Sequence, residues 1–339
     1  MGSLGSESKR PWVKTPCIYS SALSRAAGCN VHLKLDNLQP SGSFKSRGIG
    51  NLMMHAAAAA TGRVHFYCAS GGNAGLACAT SAKALNLPAT IVVPMTTSEL
   101  MKNKLLELGV ELHQTGKNLA AADEWLHREL LDKDPAGIYV PPFDHPDVWE
   151  GASTLIPELR EQLDTTIDGI VCSVGGGGLF NGLMQGIEAV SWGGHRPDVV
   201  GVETAGTDSL AASLRAGKHL TLPEITSIAT SLGCVRVSDE TWRWIKEPNA
   251  HSLVVSDADA AISCVRFADD ARQLVEVSCG AAIAAVYRGD LRQCIAPGLG
   301  DQEWAQKNIV VIVCGGSGVT LDILEQYKRE YAPQSVIKL

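Results

Sequence analysis

The chain has 339 residues, enough for about two domains. Hydrophobic residues make up 45% and charged residues 19%, the balance of a water-soluble chain with a large core. The net charge of −7 argues against nucleic acid or an anionic membrane as a partner, because both reward basic surface.

No apolar run reaches the ~18 residues needed to cross a bilayer. The N-terminal MGSLGS fits a loose myristoylation pattern, but no polybasic second signal follows, so it reads as a disordered N-terminus. Beyond it, short apolar runs alternate with helical patterns. Strands are expected at 31–35, 64–69, 90–94, 111–115, 169–174, 199–203 and 309–314. Helices are expected at 46–60, 73–85, 98–108, 120–131, 148–163, 179–190, 210–216, 258–271 and 321–331. Near-continuous apolar strands alternating with helices mean βαβ units and buried parallel sheets, an α/β fold. The turn VPPFDHPD at 140–147 interrupts the pattern. It sets a small domain at 39–145, and 1–38 joins 146–339 as a larger one.

The ten cysteines are scattered and form no CxxC pair, so no zinc site is expected. Most lie in apolar runs and read as small buried hydrophobes of a reducing compartment, the cytoplasm.

Three glycine-rich turns follow strands: ASGGNAG at 69–75, SVGGGGL at 173–179 and VCGGSGVT at 313–320. Ligands of open α/β sheets bind at such strand ends. Gly175, Gly176, Gly177 and Gly178 directly precede a helix, where bare backbone N–H groups and the helix dipole favour a phosphate. Neither a dinucleotide fingerprint nor a Walker A loop occurs, which limits the ligand to a small phosphate. The ASGGNAG turn could take a carboxylate by the same physics, or be an ordinary helix cap. In LQPSGSFKSRG, at 38–48, Lys45 stands at a helix start, where a cation is disfavoured. The dipole and burial there would lower its pKa and favour a neutral, nucleophilic amine, whereas the motif taken alone fits better a lysine that snorkels to solvent. A phosphorylated aldehyde, pyridoxal phosphate, meets both the lysine and the tetraglycine turn.

Taken together, LQPSGSFKSRG, SGGNAG, PPFDHPDVWEG, VCSVGGGGL, GVET, ITSIATSLG, CGAAIAAVY and VCGGSG resemble the fold-type-II pyridoxal-phosphate enzymes, and among them the catabolic L-serine/L-threonine dehydratases. The resemblance spans nearly the whole chain. It implies two open, mainly parallel sheet domains of the tryptophan synthase β-like architecture. It makes Lys45 the Schiff-base residue, with Phe44 against the cofactor ring, Asn73 at its phenolic oxygen, Gly175 to Gly178 and Leu179 around its phosphate, and Cys314 facing the pyridine nitrogen. Ser70, Gly71 and Ala74 would hold the substrate carboxylate, with Phe143 nearby. Glu203, Thr207, Leu232 and Cys234 match the dehydratases' monovalent-cation site, for potassium, although Thr207 and Cys234 differ from the expected residue types.

The resemblance also implies elimination, giving pyruvate or 2-oxobutyrate and ammonia from a small amino acid. A thiol at 314 does not hold the ring protonated as an aspartate would. Gly71 stands where racemases carry a serine, and Ser209 where their divalent site wants an acid, so racemisation is expected to be poor. Two alternatives stay open: the same fold acting on another β-substituted amino acid, by replacement or pathway-specific elimination, and a non-catalytic amino-acid-binding protein. A homodimer is expected by likeness, and no appended regulatory domain. Ser278 departs from the expected proline, and His145 is the histidine worth inspection.

Overall fold

The computed structural model describes residues 10–339, so the MGSLGS segment lies outside the described residues. Among the described residues ten strands follow in order: β1 (Cys17–Tyr19), β2 (Asn30–Lys34), β3 (His65–Ala69), β4 (Ala89–Val93), β5 (Glu111–Gln114), β6 (Gly137–Tyr139), β7 (Gly169–Ser173), β8 (Asp198–Thr204), β9 (Ala250–Val255) and β10 (Asn308–Ile312). They form two sheets. One has the order β5-β4-β3-β6 and is parallel throughout. The other has the order β1-β2-β10-β7-β8-β9 and is parallel except for β1, which runs antiparallel to β2.

The chain divides into two compact units. One holds residues 10–13 and Gln39–Gly151 with the four-stranded sheet; the other holds Lys14–Leu38 and Ala152–Leu339 with the six-stranded sheet. Relative to the sequence reading, 10–13 and 146–151 move to the smaller unit. The cause is direct contact with residues of that unit. The Val13 N–H donates to Gln39 Oε1 at 3.0 Å, and a Cβ on Gly151 would lie 2.3 Å from the Arg47 carbonyl oxygen.

The central strands β4 and β7 are fully buried. That burial is why both read as continuous apolar runs. Ile49, Met53, Phe66, Ile91 and Leu105 form the core of the smaller unit. In the larger unit the helix Val277–Tyr287 is buried along its whole length and packs on the helix Asp257–Ala271. Gly280 permits the approach, since a Cβ there would meet the Ala260 carbonyl oxygen at 2.3 Å.

Candidate active site

In the smaller unit, Gly42 turns the chain at φ 78° and its N–H donates to the Gln39 carbonyl at 2.7 Å. Ser46 Oγ donates to Ser41 Oγ at 2.8 Å, closing a small polar loop. The helix Lys45–Ala59 then starts without a side-chain cap. The Lys45 Nζ donates to the Pro142 carbonyl at 2.5 Å and lies 5.2 Å from the Phe44 ring centre. Pro142 belongs to the loop after β6. Trp149 Nε1 donates to the Phe143 carbonyl at 2.9 Å and pins that loop. The structure thus brings Lys45, Phe44 and the Phe143 loop together.

Next to β6 in the sheet is β3, and the ASGGNAG turn leaves its end. The Gly72 N–H donates to Ser70 Oγ at 3.2 Å. Gly72 caps the helix Asn73–Leu85 and brings no side chain to its N–H groups. Gly75 must be glycine, for a Cβ there would sit 2.0 Å from the Ser70 carbonyl oxygen. Ala74 is buried, whereas Gly71 and Asn73 are half-buried. An uncapped start of a 13-residue helix, reached through small residues, suits a carboxylate.

In the larger unit the tetraglycine turn follows β7. Gly177 has φ 98° and caps the helix Gly178–Glu188, again without a side chain. A Cβ on Gly177 would lie 1.7 Å from Thr241 Oγ1, and one on Gly175 would lie 3.1 Å from Leu232 Cα. The Ser238 N–H donates to the Gly176 carbonyl at 3.0 Å, and Thr241 Oγ1 donates to Asn181 Oδ1 at 2.8 Å. The turn is braced by Thr241 and Ser238, and its glycines put no side chain before their own N–H groups, an arrangement that fits a phosphate. Leu179 is buried behind it.

Beside β7 runs β10, and Cys314 lies just past its end. The thiol is buried beside Cys279 and Ser173, and its pKa is raised by the Cys279 hydrogen bond and by burial. It therefore stays a neutral SH group, the donor chemistry that suits an unprotonated pyridine nitrogen. Past it Gly316, at φ 111°, passes within reach of Glu276. Glu276 accepts the Gly318 N–H at 2.6 Å and the Ser231 hydroxyl at 2.8 Å. Sequence reasoning missed Thr241, Ser238 and Glu276. The SDETW helix start at 238–242 was a readable signal for the first two.

The four cation candidates bond to different neighbours. Both Glu203 oxygens accept helix N–H groups, from Leu210 and Ala211, each at 2.8 Å. Burial lifts the Glu203 pKa to about 8. Thr207 Oγ1 is 2.8 Å from Thr204 Oγ1, and Leu232 ends a short 3-10 turn. Cys234 Sγ donates to the Arg236 carbonyl at 2.9 Å. His145 is 43% exposed, and its Nδ1 accepts the Asp147 N–H at 3.1 Å.

A parallel α/β unit with a lysine at an uncapped helix start, and a second with a glycine turn that fits a phosphate beside a buried thiol, have the chemistry that the pyridoxal-phosphate class of enzymes requires. Residues 9–315 match the family described as "Pyridoxal-phosphate dependent enzyme", and the chain belongs to that family. It is 42% identical to the human protein named "L-serine dehydratase/L-threonine deaminase", over 94% of this chain and 95% of that one. It is 38% identical to the yeast "Catabolic L-serine/threonine dehydratase", over 92% of this chain and 89% of that one. The crystal structure of an L-serine ammonia-lyase from Rhizomucor miehei superposes with a TM-score of 0.86 at 38% identity, covering 94% and 99% of the two chains.

Proposed function

We propose that the chain is an L-serine and L-threonine ammonia-lyase, eliminating across Cα and Cβ to give pyruvate or 2-oxobutyrate and ammonia. The observation that carries the reading is Cys314. Its thiol is kept neutral at the end of β10 in a chain that keeps the lysine and the phosphate cradle. The names of the relatives that match nearly the full chain support the same activity.

Pyridoxal phosphate, when bound, supplies an electron sink for the pair left at Cα. Lys45 is the residue that carries it, Gly175 to Gly178 and Leu179 hold its phosphate, Phe44 and Asn73 face its ring and phenolic oxygen, and Cys314 faces its ring nitrogen. Ser70, Gly71, Ala74 and the N–H groups that begin the helix Asn73–Leu85 hold the substrate carboxylate, with Phe143 alongside. With the cofactor bound, the Lys45 amine would be the base that takes the Cα proton. The Cys314 thiol would offer the ring nitrogen a neutral partner instead of an acid, a setting that suits loss of the β-hydroxyl. The β-hydroxyl would leave as water with a proton from the phosphate group, and the released enamine would take up water to give the keto acid and ammonia.

Potassium belongs to the same proposal, near the buried Glu203 carboxylate with carbonyls of Thr207, Leu232 and Cys234. It is tested by comparing activity in potassium and lithium buffers. A homodimer is inferred from the family likeness and checked by light scattering. A cytoplasmic location is proposed from cysteines of which seven are buried as small hydrophobes, their usual role in a reducing compartment. No helix among the described residues is long and apolar enough to cross a membrane.

The central test is Lys45→Ala. Keto-acid formation from L-serine should fall by about two to four orders of magnitude, the usual worth of a positioned base. Parent-like pyruvate release from that variant would remove the assignment. Consumption of O-acetylserine only when sulfide is present would point instead to β-replacement.

A further inference from the structure

Gly71, in the turn after β3, has no backbone need to be glycine, for its φ lies outside the left-handed region. What excludes a side chain is Thr97. A Cβ on Gly71 would lie 2.4 Å from Thr97 Oγ1, 2.7 Å from its Cγ2 and 3.1 Å from its Cβ. Thr97 sits in the loop after β4, the parallel neighbour of β3, so both loops leave the same edge of the sheet. Its N–H donates to the Pro94 carbonyl at 3.0 Å, and the next residue, Ser98, caps the helix Glu99–Glu107. The backbone is thereby fixed on both sides.

Threonine carries two heavy atoms on Cβ, and both face position 71. Side chains rest in three staggered wells. If two of those wells point at Gly71, any rotation of Thr97 leaves at least one heavy atom there. With the backbone as it stands, a side chain at 71 and the branches of Thr97 compete for the same space.

We propose that Thr97 is a positioning residue for the substrate. Its branched side chain keeps position 71 bare, so the 70–72 turn closes on a carboxylate with backbone alone and the space above it is left to the substrate. This rests on the reading of Ser70, Gly71 and Ala74 as the carboxylate turn.

Gly71→Ala is compared alone and combined with Thr97→Ser or Thr97→Val, in the enzyme loaded with pyridoxal phosphate. Serine has one heavy atom to turn away; valine keeps two. Gly71→Ala alone should raise KM for L-serine by roughly tenfold, the low end of an overpacking cost, with kcat changed far less. Adding Thr97→Ser should restore KM, and adding Thr97→Val should not. Titrating L-serine against the bound cofactor's absorbance should give the same order of affinities, and thermal melts of the cofactor-free proteins the same pattern of rescue. If Gly71→Ala alone does not fold, recovery of folding by Thr97→Ser but not by Thr97→Val is the same expected result. A parent-like KM in Gly71→Ala, or equal rescue by serine and valine, overturns the proposal. A parent that makes no keto acid from serine or threonine overturns the functional reading and the substrate role together. An active parent with unchanged KM in Gly71→Ala overturns this proposal alone.

Discussion

At position 177 two demands meet in one residue. The backbone stands at φ 98°, and the Cβ direction is filled by Thr241 Oγ1. Gly177→Ala should therefore lose on both counts, by about 1–2 kcal/mol for the left-handed backbone and about 1–3 kcal/mol for overpacking. Relief would come only by moving the turn off its cradle geometry. The expected outcome is a lower melting temperature together with weaker retention of pyridoxal phosphate, read by dialysis and absorbance. A normal melt with full retention would show that the turn does not hold the phosphate. The front of this site was legible because its chemistry is local: the lysine follows its serine-glycine loop, and the glycines precede their helix. The back was not. Thr241 and Glu276 brace turns that lie 64 and 40 residues away in sequence, before and after them, and only the fold makes them neighbours.

Elements were legible where burial imposes a period. The helices Asn73–Leu85 and Leu321–Tyr331 fall where the pattern sets them. The strands β1, β6 and β9 were missed, since each lies at a sheet edge and is only partly buried, and two of them span three residues. The helix Val277–Tyr287 was visible only as a motif, because it is apolar all round and shows no stripe. The stretch expected as one helix at 148–163 is two, Pro146–Ser153 and Leu155–Gln162. Pro157 lacks an N–H and falls in the first turn of the second helix, where none is needed. The first of these helices carries Gly151 against the backbone of Arg47, two residues beyond Lys45. Gly151→Ala should cost about 1–3 kcal/mol in urea unfolding, because a carbonyl cannot turn aside as a side chain can.

His65 on β3 adds a pH dependence. Its ring stacks on Tyr67 with centres 4.5 Å apart, and its Nε2 lies 2.8 Å from Thr90 Oγ1. Burial lowers its pKa from the ordinary 6.5, with Arg63 adding to the effect and Asp134 and Glu111 opposing it. The unfolded chain then binds the proton more readily than the native one. The stability involved is present above about pH 6.5 and is lost as the pH falls through that value toward the native pKa. The fall in melting temperature between about pH 7.5 and 5.5 should accordingly be smaller in His65→Gln, which keeps a partner for Thr90 but does not titrate. Equal falls in parent and variant would mean that His65 takes up its proton without cost.

At the scale of the molecule, the chain enters the larger unit with β1 and β2, leaves it for residues 39–151 and then returns. The early segment is held by the sheet and by one buried cation. Lys34 at the end of β2 has no solvent exposure. Its Nζ donates to the Thr15 carbonyl at 2.6 Å, Glu158 Oε2 at 2.6 Å and Gln162 Oε1 at 2.8 Å. Gln162 Nε2 donates in turn to the Thr15 carbonyl at 2.8 Å. The pair therefore fastens residues 14–38 to the helix Leu155–Gln162, more than a hundred residues later. Removing one partner leaves the other charge buried, which typically costs 3–5 kcal/mol, whereas exchanging both for apolar groups can be neutral. Glu158→Gln should sit near about 3 kcal/mol, the low end, because the Glu158 side chain keeps 14% exposure and some solvent can reach the gap. Lys34→Met/Glu158→Leu should recover most of that loss in urea unfolding. If the single variant is harmless, the ion pair is not what secures the segment. If the double variant is worse than the single, the charges contribute more than their desolvation costs.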